Sequence, residues 1–235
     1  MGFPLKSSFE DILTRLGTID SRKILFWGEG VGGISSYVAG WMAGEGIGVI
    51  VLDGANRFDP YMVSTFAKRA SISPEGLLKR IRIARAFTCY QMTALVEEKL
   101  VSLLKKEERA APLFSPRVIL LGPVTPFLDE DVSEREVRPL FEKLLRKVEE
   151  MARDSISFFF FQLNPPFPPF TKGGAGGLVD SRRAYLARRL FQISDLAWKI
   201  SLDDKEPKII LEKTRDVGVR DCGLGIRPQI EESKI

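Results

Sequence analysis

The chain has 235 residues, a formal net charge of +4 and no histidine. The missing histidine removes Ser-His-Asp and Cys-His catalysis, imidazole general bases and histidine-bound metals together. The mild positive charge permits nucleic-acid binding without arguing for it; no apolar run is long enough to span a bilayer, and Cys89 and Cys222 lack the C-x-x-C spacing of a zinc site.

The N-terminal stretch lacks the charged-then-apolar profile of a signal peptide, so a cytoplasmic protein with one α/β core is expected. Ser7-Ser8-Phe9-Glu10 has capping-box spacing, and Phe9, Ile12, Leu13 and Leu16 follow at helical intervals, predicting a first helix. Residues 24–27 read as a short buried strand, a glycine-rich turn follows, and 35–42 read as helix. Residues 47–52 form a continuous apolar run ending at Asp53-Gly54, the pattern of a parallel strand buried on both faces. Helices are expected at 61–69 and 74–80, with Pro74 near a helix start, and another strand at 81–86. Met92, Leu95, Val96, Leu100, Leu103 and Leu104 make one helical face, and 118–121 read as a strand. Ser133-Glu134-Arg135-Glu136 is a second capping box, opening a helix over 134–152 that leads to a strand of four phenylalanines at 158–161.

Strands alternating with helices predict a mainly parallel, doubly wound sheet. The pattern breaks at 164–177, where four prolines, two phenylalanines and four glycines exclude helix and central strand; this reads as an inserted loop without a dedicated function. A helix over 182–200, a strand near 209–211 as an antiparallel edge addition, and a flexible tail at 226–235 complete the expectation.

The chemistry rests on Gly28-Glu29-Gly30-Val31-Gly32-Gly33-Ile34-Ser35-Ser36. Gly28-x-Gly30-x-x-Gly33 after a strand, with Asp53 at the end of the next one, is a dinucleotide fingerprint suited to NAD or S-adenosylmethionine. The same residues fit a phosphate loop, G-x-x-x-x-G-K-[ST], with Ile34 at the lysine position. Both readings use glycines for close backbone approach and a helix N-terminus for amide donors. A lysine there supplies a charge-assisted bond worth roughly 1.5–3 kcal/mol, and isoleucine supplies none of it.

The remainder of the chain resembles the RecA/RadA recombinase family, a RecA-like P-loop NTPase fold of three α/β/α layers. Val51-Leu52-Asp53-Gly54-Ala55-Asn56-Arg57-Phe58 is similar to the strand and turn after that family's P-loop helix. Ile83-Ala84-Arg85-Ala86-Phe87, with Gln91 and Leu95 after it, is similar to the next strand and helix. Arg117-Val118-Ile119-Leu120-Leu121-Gly122-Pro123-Val124-Thr125-Pro126-Phe127 resembles the Walker B strand and its sequel, and Gln162 falls where the family has a nucleotide-sensing glutamine. The likeness runs from about residue 8 to 225 as a single core, without the family's N-terminal DNA-binding domain.

Carried over residue by residue, the resemblance implies lost catalysis. The P-loop lysine is Ile34, the water-activating glutamate falls on Ala55, and the Walker B aspartate falls on Gly122; Ser35 is left as a magnesium ligand and Gln162 as a sensor. ATP or ADP binding is then weak, and no resident metal is expected. The family's first DNA loop corresponds to Leu128-Asp129-Glu130-Asp131, which repels phosphates, and the second coincides with the 164–177 insertion. Arg182, Arg183, Arg188 and Arg189 form either a basic patch or a solvated helix face, and Lys79, Arg80, Arg82 and Arg85 are read the same way, Arg85 belonging to the family-like strand. The implied function is a non-hydrolysing partner-binding protein in recombination or repair, its partner a RecA-like recombinase, a repair factor or another copy of itself. A Rossmann-type enzyme and an active ATPase with differently placed motifs are the alternatives. Strand order separates the first two: a RecA-like sheet places 118–121 between 24–27 and 47–52, whereas a Rossmann sheet places 47–52 directly beside 24–27.

Overall fold

The computed structural model describes residues 22–110, 116–163, 183–203 and 206–214. The expected helix at 9–16, the 164–177 insertion, the 226–235 tail, Arg182 and Cys222 lie outside them.

In chain order the elements are β1 (Lys23–Gly28), α1 (Val31–Gly44), β2 (Val49–Asp53), α2 (Pro60–Arg69), α3 (Pro74–Leu78), β3 (Ile81–Arg85) and α4 (Cys89–Ala94). A π-helical turn (Leu95–Leu100) joins α4 to α5 (Val101–Ala110). Then come β4 (Arg117–Leu121), a 3-10 turn (Thr125–Phe127), α6 (Glu134–Arg153), β5 (Ser157–Leu163), α7 (Ala184–Ile193), β6 (Leu196–Asp203) and β7 (Glu206–Thr214).

The seven strands form one sheet in the order β3-β2-β4-β5-β1-β6-β7. All pairs are parallel except β6 with β7. β2 over 49–52 and β5 over 158–161 are apolar throughout because helices cover both of their faces. On one face α1, α2 and α3 pack through Val31, Ile34, Val38, Val63 and Leu77. On the other, α4, the π turn, α6 and α7 pack through Met92, Val96, Phe141, Leu144 and Leu190. Phe26 and Phe161, on adjacent strands, stack at 5.1 Å. Connections leading toward β3 therefore run over one face and those returning toward β6 over the other. Neighbours β1 and β5 release their chains to opposite faces, which opens the sheet at their carboxyl ends.

Both β4 and β5 lie between β1 and β2. The adjacency of β1 and β2 that a Rossmann sheet requires is absent.

Two expectations need correction. The helix expected over 182–200 ends at Ile193, and Leu196–Asp203 is a strand lying parallel beside β1. The cause is Asp195. Its buried carboxylate accepts from the amides of Arg22 (3.0 Å) and Lys23 (2.9 Å) and pairs with Lys23 Nζ at 3.3 Å, so the chain is turned into the sheet. Lys213 Nζ completes the helix end by donating to the carbonyls of Phe191, Gln192 and Ser194. Only β7 is the antiparallel addition. The second correction is at Ser133, whose hydroxyl donates to the Glu136 carboxylate at 2.8 Å instead of accepting from a helix amide.

Removing the Asp195 carboxylate strands the buried Lys23 and two amides. Asp195→Ala should therefore destabilise the fold by about 3 kcal/mol, with Asp195→Asn losing less because it keeps an acceptor. Urea unfolding of both variants measures the difference.

Candidate functional site

The glycine segment, Asp53, Ala55, Gly122 and Gln162 gather along the carboxyl ends of β1, β2, β4 and β5, whereas the two basic groups lie elsewhere. The glycine segment leaves β1, Asp53 and Ala55 follow β2, Gly122 follows β4, and Gln162 lies near the end of β5.

The glycine segment is a sharp strand-to-helix turn. Gly28 closes β1 at φ +126°, and a Cβ there would lie 2.0 Å from the Ile200 carbonyl oxygen. Only glycine lets β6 approach so closely. The Glu29 amide donates to that same Ile200 oxygen at 3.0 Å. Gly30 is the helix cap, left-handed at φ 68°, and α1 begins at Val31. Gly32 and Gly33, which a phosphate loop keeps in the wrap around its anion, are already helical. Ile34 points into the core and is buried. The Ser35 hydroxyl is fully buried and donates to the Gly32 carbonyl at 2.7 Å, so it does not stand at the surface as a magnesium ligand. Ser36 makes a similar bond to Gly32 and accepts from the Asp59 amide at 2.9 Å.

Asp53 is not placed to receive a ribose. It is fully buried, and its carboxylate accepts from the amides of Ala55 and Arg57 (both 3.2 Å) and Phe58 (3.0 Å). Arg85 Nε approaches it at 3.6 Å. The acid holds the turn after β2.

Ala55 and Gly122 meet. Gly122 is left-handed at φ +60°, and a Cβ there would lie 2.4 Å from Ala55 Cβ and 2.9 Å from Thr125 Oγ1. A Cβ at Gly54 would lie 2.8 Å from the Gly122 carbonyl oxygen. The Gly54 amide donates to Leu121 and the Gly122 amide to Phe161, at 2.8 and 2.7 Å, so the turn after β2 is pressed onto the turn after β4. Gln162 is buried beside them. Its Oε1 accepts from the Val124 amide and its Nε2 donates to the Leu163 carbonyl, both at 3.1 Å. Burial pushes the nearby Cys89 thiol up, away from thiolate chemistry.

The arginines do not make a patch. Arg183 is buried: its guanidinium donates to the carbonyls of Phe127 (2.8 Å), Asp129 and Val132, and its Nε lies 3.5 Å from Glu134. It thus holds the acidic 129–131 stretch in place from behind. Arg189 forms a two-pronged pair with Glu142 at 2.7 and 2.9 Å, and that bond holds the Glu142 carboxyl below its usual range. Arg188 alone of the described three is exposed. The second basic group is also engaged, with Lys79 on Glu75, Arg80 on the Ala43 carbonyl and Arg82 on Glu107.

Exposed aromatics near the ends of β2 and β3 went unremarked in the sequence. Tyr61 is 82% exposed and Phe87 65%, with Tyr90 and Ile83 also largely open. A signal was there: Phe87 and Tyr90 fall off the Met92, Val96, Leu100 stripe that α4 and the π turn bury. Arg57, through its amide, and Arg85, through its guanidinium, are both held by Asp53.

Among the described residues no cluster of three or more acidic, cysteine or histidine groups is arranged to hold a metal, and no helix is long and apolar enough to cross a membrane. Comparison with protein-family models and with curated proteins finds no match.

The contrast among glycines is measurable. Gly122→Ala combines a left-handed backbone with a collision and should lower stability by about 2 kcal/mol or more. Gly33 has open space where its Cβ would stand, so Gly33→Ala should raise helix stability by about 0.5–1 kcal/mol. Thermal or denaturant unfolding of the two variants should move in opposite directions.

Proposed function

We propose that this protein is a catalytically degenerate RecA/RadA-like chain that acts by binding a protein partner in recombination or repair, without hydrolysing ATP. The observation that carries the reading is the contact of Ala55 with Gly122. The RecA-like alignment assigns these two positions, far apart in sequence, to one reaction centre, and they do converge at one point on the sheet. Both are small, and position 122 has no room for the acid the alignment calls for. The strand order supports the same reading, because β4 lies between β1 and β2, as a RecA-like sheet requires.

Each ATPase contribution is accounted for separately. Phosphate charge is missing at Ile34, which is in the core. Metal support is missing because Ser35 bonds inward, and water activation is missing at Ala55. The NAD or S-adenosylmethionine reading keeps only its local turn, since Asp53 is consumed by backbone amides and β2 is remote from β1.

Partner binding is supported by the rim of β2 and β3. Tyr61, Phe87 and Tyr90 with Arg57 and Arg85 have the aromatic and arginine composition of interface cores. β3 ends the sheet, and no strand pairs with its outer edge among the described residues. A RecA-like recombinase or repair factor is the partner class the family resemblance favours.

A thermal-shift series with ATP, ADP, NAD and S-adenosylmethionine tests the reading. A ligand at about 100 times its dissociation constant stabilises by about 2.7 kcal/mol, a shift of several degrees. Millimolar nucleotide should shift the midpoint by less than about 1 °C. ATP turnover abolished by Ser35→Ala would overturn the proposal, and saturable NAD or S-adenosylmethionine binding would replace it. With a purified recombinase, Phe87→Ser should weaken co-elution about tenfold while leaving the unfolding midpoint nearly unchanged.

A further inference from the structure

β7 ends the sheet opposite β3, with charged residues toward both ends of the strand and an apolar run at its centre. Edge strands are ordinarily protected by charges, prolines or bulges, and the central run of β7 has none of these. In β7 the consecutive residues Ile209, Ile210 and Leu211 are apolar on both faces, the pattern of an interior strand. Ile209 and Leu211 lie on the α1 side, opposite Ile200 and Trp198, and Ile210 lies on the other side, opposite Lys199. Ile210 is 43% and Leu211 41% exposed. Among the described residues no strand pairs with the outer edge of β7.

The charges flanking this run are self-complementary. Lys208 and Glu212 are both exposed and stand two residues to either side of Ile210. Laid antiparallel against a second β7 about a twofold axis through Ile210, each Lys208 faces the other copy's Glu212. Each Ile209 then faces the other copy's Leu211, and the two Ile210 side chains face each other. Glu212 Oε2 is already oriented by the Trp27 indole N–H at 2.9 Å, and the carboxylate has a second oxygen for a lysine. The ends of the pairing are marked as well. Pro207 has no amide to donate, and the register with β6 shifts between Ala197 and Trp198, opposite Leu211 and Lys213.

We infer that the partner of the β7 edge is a second copy of this chain, joined antiparallel through residues 208–212 into a continuous sheet across the dimer. The contact is short, so the dimer is weak and concentration-dependent. The inference needs only β7 and is independent of the RecA-like reading.

Sedimentation of the full chain over a range of concentrations tests it. Wild type should shift from monomer to dimer. Lys208→Glu and Glu212→Lys each place like charges opposite and should weaken dimerisation about tenfold or more. An equal mixture of the two single variants restores both opposite-charge pairs in a heterodimer, so the mixture should dimerise where neither variant does alone. Circular dichroism confirms that each variant is folded, and Ile210→Thr, which leaves the charges intact, should also weaken the dimer. A wild type that stays monomeric throughout overturns the inference. So does a dimer indifferent to either charge reversal, or a mixture that fails to recover association.

Discussion

The buried carboxylate of Asp53 is the interaction on which the rim of this sheet depends. Three backbone amides and an arginine converge on it, and together they fix the turn between β2 and α2. Once that turn is fixed, Gly54 must lie against Gly122, Arg57 against Gly32, and the Asp59 amide within reach of Ser36. The carbonyl of Asp53 also accepts from the Ala86 amide and so sets the exit of β3. A carboxylate that accepts several amides in a dry site is a strong organiser, because each donor left behind would be a buried unsatisfied group. One acid thus coordinates four chain segments, and the chemistry available at the rim follows from where it puts them.

Much of the framework is legible in the sequence because it is written in periodicity. The uninterrupted apolar run of β2, the four phenylalanines of β5 and the stripe of α6 each specify an element and its buried face. Strand β6 was not legible. Leu196, Ala197 and Ile200 satisfy a helical spacing as well as a strand one, and the deciding bond is made by Asp195 to the far end of the chain. The same limit applies to the site. Glycine spacing is a property of sequence, but whether Gly32 and Gly33 form a loop or a helical turn depends on where α1 starts. That start is set by Gly28 approaching a strand that comes much later in the chain. The exposure of Phe87 and Tyr90 is likewise a consequence of what does not pack over them.

Among the described residues, the polar groups at the carboxyl ends of the strands are engaged with one another, while apolar groups are exposed at the sheet margins. Along the carboxyl ends of β1, β2, β4 and β5, hydroxyls, amides and the Gln162 side chain are spent on one another. Apolar and aromatic groups meet solvent instead beyond the last buried strands, at β3 with its following helix and at β7. Arg183 adds to these contacts by fastening the turn after β4 to the start of α7.

The meeting of Ala55 and Gly122 also bears on how this chain can change. A carboxylate entering at 122 strikes Ala55 and a left-handed backbone. That substitution is blocked until the Asp53 turn moves. An acidic pair at this point is therefore separated from the present sequence by a valley in stability, not by a single step. Side chains at the exposed margins meet no such steric block, so substitution there costs the fold less than new chemistry at the rim.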